Sequence, residues 1–73
     1  MKNERKFTIE TEREADGRWL AEIIELPGVM VYGSTSEQAQ ARVEALAFRV
    51  LADELEKEEG AKQSISNIVF SVL

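Results

Sequence analysis

One segment of this chain, from about Thr35 or Ser36 to Glu59, reads as a long helix with apolar residues on two of its sides. That limits what it can fold into. Advancing about 100° per residue from Ala39 places Ala39, Val43, Leu46, Ala47 and Val50 within a stripe of roughly 100°. The stripe predicts a helix lying on a sheet. Phe48, Leu51 and Leu55 fall at about 180°, 120° and 160° on the same scale, a second side that one small sheet does not also cover. The residues before the helix are cap types: Ser34 with Glu37, or Thr35 with Gln38, satisfies the capping-box spacing. Gly60 stands where a left-handed residue commonly ends a helix.

The remaining sequence reads as strands. Lys6 to Glu12 alternates Phe7, Ile9 and Thr11 with Thr8, Glu10 and Glu12, the period of a half-buried strand. Asp16-Gly17 then supplies a tight hairpin turn. A second strand returns from Arg18 to about Leu26, with Trp19, Ala21 and Ile23 on one face and Leu20, Glu22 and Ile24 on the other. Leu26-Pro27-Gly28 breaks it, because proline donates no ladder hydrogen bond and glycine opens φ values closed to other residues. Val29 to Tyr32 is a short third strand stopped by Gly33, and Ser64 to Leu73 is a fourth. The expected class is α+β with order βββαβ: a three-stranded antiparallel meander, a long helix and a C-terminal strand. Seventy-three residues allow one domain, residues 1–73.

A domain this small has a marginal core, so self-association is expected, as a dimer or tetramer. The last strand points the same way, since Ile68, Phe70 and Val72 alternate with Ile65, Val69 and Leu73 and leave both faces apolar. The self-association set is Phe48, Leu51, Leu55, Ile65 and Val69. Burying such a side chain contributes about 1.5 to 3 kcal/mol before association costs.

Composition narrows the chemistry. The chain has no histidine and no cysteine, which excludes Cys/His zinc sites, disulfides, thiol nucleophiles and histidine acid/base catalysis. Nine basic against fourteen acidic side chains give a net charge of −5, which disfavours direct nucleic-acid binding and suits a basic partner. No apolar run approaches the roughly 18 residues of a membrane span, and MKNERKF lacks a secretory h-region, so a cytoplasmic protein is expected.

Leu26-Pro27-Gly28-Val29-Met30-Val31-Tyr32-Gly33-Ser34-Thr35, followed by Glu37 and Ala39, resembles the most characteristic stretch of HicB-like antitoxins. The likeness extends to the hairpin before it, through Phe7, Asp16-Gly17, Trp19, Ala21 and Glu22, and so spans about residues 7 to 50. The resemblance implies a βββαβ domain of partial RNase H-like fold that neutralises a HicA-type toxin, a small basic mRNA-cleaving protein. The cysteine familiar after L-P-G is Val29 here, and the helix-turn-helix or ribbon-helix-helix module of self-repressing members is not seen before Leu73. DNA binding is therefore not inferred.

The residues offered to such a toxin are Glu10, Glu12, Glu22, Glu25 and Trp19, with the sheet edge. The same glutamates could be collected as a metal-dependent nuclease site, but two-metal chemistry needs three or four acids converging on ions about 4 Å apart. Alternation along the strands opposes that, so no metal, cofactor or catalytic residue is expected. Ser34, Thr35 and Ser36 are explained by capping, and Trp19 by a core or sheet-edge position more readily than by base stacking. The competing reading is an orphan oligomeric domain of the same fold, binding a small ligand or another protein without any toxin.

Overall fold

The computed structural model describes residues 4–57 and 64–73. Three antiparallel strands, β1 (Glu4–Arg13), β2 (Trp19–Ile23) and β3 (Met30–Gly33), precede one helix, α1 (Ser36–Lys57), and a last strand, β4 (Asn67–Val72). The fold is α+β with the order βββαβ. In space the strands run β3-β2-β1-β4, so β1 lies inside the sheet, antiparallel to β2 and parallel to β4. A parallel pair needs a long crossover, and α1 is that crossover. It packs on the face of β3, β2 and β1.

Each junction has a local cause. The first hairpin is closed by Glu14 N–H to the Arg18 carbonyl at 2.7 Å and Gly17 N–H to the Glu14 carbonyl at 2.9 Å. Only Gly17 has positive φ (94°), so this is a three-residue loop ending in a glycine bulge and not a two-residue turn with both positions left-handed. Leu26-Pro27-Gly28-Val29 forms a turn closed by Val29 N–H to the Leu26 carbonyl at 3.0 Å. Proline holds its second position, and Gly28 at φ 88° takes the third, as a type II turn requires. Of the two capping choices, Thr35 is the cap: Gln38 N–H donates to Thr35 Oγ1 at 3.0 Å. Gln38 Oε1 reaches back to accept from Ser34 N–H (2.7 Å) and Ser34 Oγ (2.8 Å). Gly60 lies outside the described residues.

The strands differ in extent from the sequence reading. β2 stops at Ile23 because the chain enters a turn there, with Leu26 N–H donating to the Ile23 carbonyl at 3.1 Å. β1 is longer than its alternation suggested, since β4 pairs with its first half from Glu4 onward. β4 begins at Asn67 and not at Ser64.

The core consists of Phe7 and Ile9 from β1, Ala21 and Ile23 from β2, Val29, and Ala39, Val43, Ala47 and Leu51 from α1. Leu51 corrects the helical-wheel reading. Assigned to the second apolar side, it is 2% exposed and buried in the chain's own core. Ala39, Val43, Ala47 and Leu51 form one row at four-residue spacing, which drifts by about 40° per step at 100° per residue. A twisted sheet stays beneath such a drifting row, whereas a fixed stripe assumes a flat one. Leu46 and Val50, placed in that stripe, flank the row half-buried.

Gly33 is buried where α1 begins over β3. A Cβ there would lie 2.5 Å from Ala39 N and 2.8 Å from Ala39 Cα, so the constraint is a close backbone approach and not a positive φ. Gly33→Ala must push the helix start off the sheet, and we expect it to lower the free energy of unfolding by about 1–3 kcal/mol in urea titration.

Candidate functional site

The helix covers one face of the sheet, and among the described residues no helix lies on the opposite face. Strand alternation and register decide what that second face displays. Glu10 stands opposite Glu22, Glu12 opposite Leu20, Leu20 opposite Tyr32, and Glu22 opposite Met30. Alternation puts all of these on the uncovered face. Glu10, Glu12, Leu20 and Glu22, with Thr11, line a shallow depression of about 340 Å³. Beside it Met30 is 45% exposed and Tyr32 40%. The Arg18 guanidinium lies 4.0 Å from the Tyr32 ring centroid, held by Asp16 through an Nε–Oδ2 contact of 2.8 Å.

Glu10 and Glu22 are like charges on directly paired residues, an arrangement that costs stability. Between strands whose covered sides hold Ile9, Ala21 and Ile23, the fold does not require two carboxylates there. A face that is acidic and partly apolar at once has the chemistry of a protein-contact surface. Among the described residues no group of three or more His, Cys, Asp or Glu side chains could hold a metal ion.

Compared with protein-family models, curated proteins and solved structures, the chain finds no match in any of the three. Its function has to be read from its own surfaces.

Of the five residues expected to meet a partner, the fold brings Glu10, Glu12 and Glu22 together. The other two do not line the depression. Trp19 belongs to the helix-covered face, half-buried against the core and paired with Gly33 and Arg13. Glu25 is occupied locally: Thr8 N–H donates to its Oε1 at 2.7 Å and Thr8 Oγ1 to its Oε2 at 2.8 Å. Ile24 N–H still reaches the Thr8 carbonyl at 3.0 Å, so the Glu25 carboxylate replaces the next backbone acceptor where β2 leaves the ladder. Those two hydrogen bonds hold its pKa below the ordinary value of 4.5, the backbone bond being the larger cause.

The self-association set is also divided. Phe48, Leu55 and Ile65, with Leu51 at the core side, line a groove of about 480 Å³ between the second half of α1 and the start of β4, alongside Ile68. Ile65 precedes β4 and packs against the core, so strand alternation does not govern it. Val69 sits on the opposite, uncovered face, 37% exposed. Sequence reasoning missed Met30 and Tyr32, because a four-residue strand has too short a period to assign faces. The signal available was Leu20 and Glu22, which share a face with them once β2 and β3 are paired. Among the described residues no helix is long and apolar enough to cross a membrane.

A carboxyl with a depressed folded pKa contributes stability that is present above its unfolded pKa and lost as pH falls through the folded value. Acid titration of the wild type should therefore lose stability below about pH 4.5 in part through Glu25. Glu25→Ala should remove that share, so the two unfolding curves converge at the acid end and differ most near neutrality.

Proposed function

We propose that this chain is a HicB-like, antitoxin-type protein-binding domain whose uncovered sheet face masks a small basic mRNA-cleaving toxin of the HicA type. The supporting observation is the like-charged pair Glu10 and Glu22, kept on that face beside Glu12 and the exposed Met30 and Tyr32. A basic partner relieves the repulsion on binding, and the apolar residues beside it supply area to bury. The net charge of −5 extends the attraction beyond contact range. No catalytic step is assigned to the chain: it acts by covering another protein's chemistry, within the cytoplasm, as a homo-oligomer without a cofactor of its own.

A second reading, an orphan self-associating domain with no toxin, draws on the apolar groove lined by Phe48, Leu55 and Ile65. The two separate on one titration. Stoichiometric chain should abolish mRNA cleavage by a purified HicA-type toxin, with an association rate that falls steeply as salt rises, because exposed charges are screened over about 8 Å at physiological ionic strength. Undiminished cleavage at a several-fold excess of the chain overturns the antitoxin reading.

Glu22→Lys tests the face itself. It turns the like-charged pair into an attractive one, so it should raise thermal stability by about 0.2–1 kcal/mol while slowing toxin association at least about tenfold. Gain of stability with loss of binding is the expected combination in calorimetry and stopped-flow mixing.

A further inference from the structure

We infer that β4 is the self-association surface: two copies join β4 edge to edge, antiparallel about a two-fold axis at Phe70, merging two four-stranded sheets into one. This rests on the self-association in the reading above and is independent of any toxin.

The backbone sets the geometry. Leu73 N–H donates to the Ile9 carbonyl at 2.9 Å, so Leu73 and, by alternation, Ser71, Val69 and Asn67 turn their backbone groups toward β1. Ile68, Phe70 and Val72 turn theirs the other way. Among the described residues no strand pairs with that outer edge, since the sheet order ends at β4. An antiparallel register centred on Phe70 sets Phe70 against Phe70 of the copy, and Ile68 against its Val72. Each such pair exchanges two hydrogen bonds, so every outward N–H and C=O of these three residues is used.

Sheets normally protect such an edge with charge, proline, a bulge or shortness. β4 has none of these devices. Asn67–Val72 contains no charged residue and no proline, and its register with β1 is unbroken over six pairs. The other edge, β3, is only four residues long and has the Arg18 guanidinium over its Tyr32 ring.

The side chains agree with the backbone. On the helix-covered face the join lines up Ile68, Phe70 and Val72 of both copies, and Val72, 49% exposed, gains apolar neighbours. Phe48, 50% exposed, already meets the Phe70 ring edge-on at 5.6 Å between centroids and stands next to the seam. On the other face Val69 comes to lie against Ser71 of the copy.

Charge selects a second copy as the occupant. Two chains of −5 each repel, and the neutral β4 edge lets them meet without bringing carboxylates together. A basic partner has its attraction at Glu10, Glu12 and Glu22 on β1 and β2, not at this edge.

Val72→Pro tests the join. The Val72 N–H points to the outer edge, so proline there removes no hydrogen bond within the protomer but deletes two from the dimer and obstructs the seam. Sedimentation should give the wild type twice 8.2 kDa at micromolar concentration. Val72→Pro should give a monomer with an unchanged far-ultraviolet spectrum, its dimer dissociation constant raised at least about 30-fold. Ser71→Pro, whose N–H faces β1, should instead lose stability in the protomer. Hydrogen exchange on the wild type decides independently of how the variants fold: the Phe70 amide should be protected in concentrated solution and exchange rapidly on dilution. A wild type of 8.2 kDa at 100-fold higher than micromolar concentration, a dimeric Val72→Pro, or a dimer with an unprotected Phe70 amide each overturns the proposal. A dimer that ignores the basic toxin leaves it standing and overturns only the antitoxin reading.

Discussion

The structure depends on the contact between one helical row and two strands. Ala39, Val43, Ala47 and Leu51 descend at four-residue intervals over Phe7, Ile9, Ala21 and Ile23, and these eight side chains with Val29 make up the core. Two of the four helical positions are alanine, so the helix can lie close to the sheet. Close packing demands that the helix begin at one height, and Gly33 allows that by leaving room for the Ala39 backbone. The Thr35 cap and its Gln38 partner then hold the first turn in place. Cap, glycine and alanine row work as one device that seats α1 over the meander.

Because the row drifts toward Leu55, the second half of α1 swings away from β3 and toward β4. The ring of Phe70 fills the space between them, meeting Phe7 at 5.7 Å and Phe48 at 5.6 Å between centroids. Arg5 adds an ion pair to Glu54 at 3.5 Å across the same gap, both groups partly exposed and the contact correspondingly weak. The helix therefore covers three strands well and the fourth thinly, which is why the apolar groove opens beside β4.

The order of elements, the places of both turns and the two candidate caps could be read from the sequence because each has a local cause. Gly17 and Gly28 take positive φ where a turn needs it, and Thr35 stands three residues before Gln38. Faces were less legible than elements. Leu51 was assigned to the wrong side because a wheel at fixed angle ignores the twist of the sheet beneath it. Glu25 was grouped with the other glutamates because its two bonds to Thr8 join residues seventeen apart in the chain. Trp19 was grouped with them although alternation along β2 sets it on the face opposite Glu22, where it pairs with Arg13 and Gly33. Glu10 and Glu22 could be found as acids from composition, but their direct opposition is a property of the folded hairpin.

In the proposed reading, the acidic face and the uncharged β4 edge serve two different contacts of one small domain. The carboxylates of Glu10, Glu12 and Glu22 lie on the inner strands β1 and β2, and the uncharged edge lies on β4. In the proposed dimer the seam runs between two β4 strands, so the two acidic faces lie on the same side of one sheet, flanking a neutral strip of Val69 and Ser71 side chains. Each face remains open, because edge pairing extends a sheet without covering either surface. Had the acids been on β4, the same net charge would have opposed association. Had the seam been built across the uncovered face of β1 and β2, self-association would have consumed the face that the proposed reading offers to a basic partner. With its seam on the outer edge of β4 and its acids on β1 and β2, the proposed dimer would let a chain with so small a core gain stability from its own copies and still present its charge.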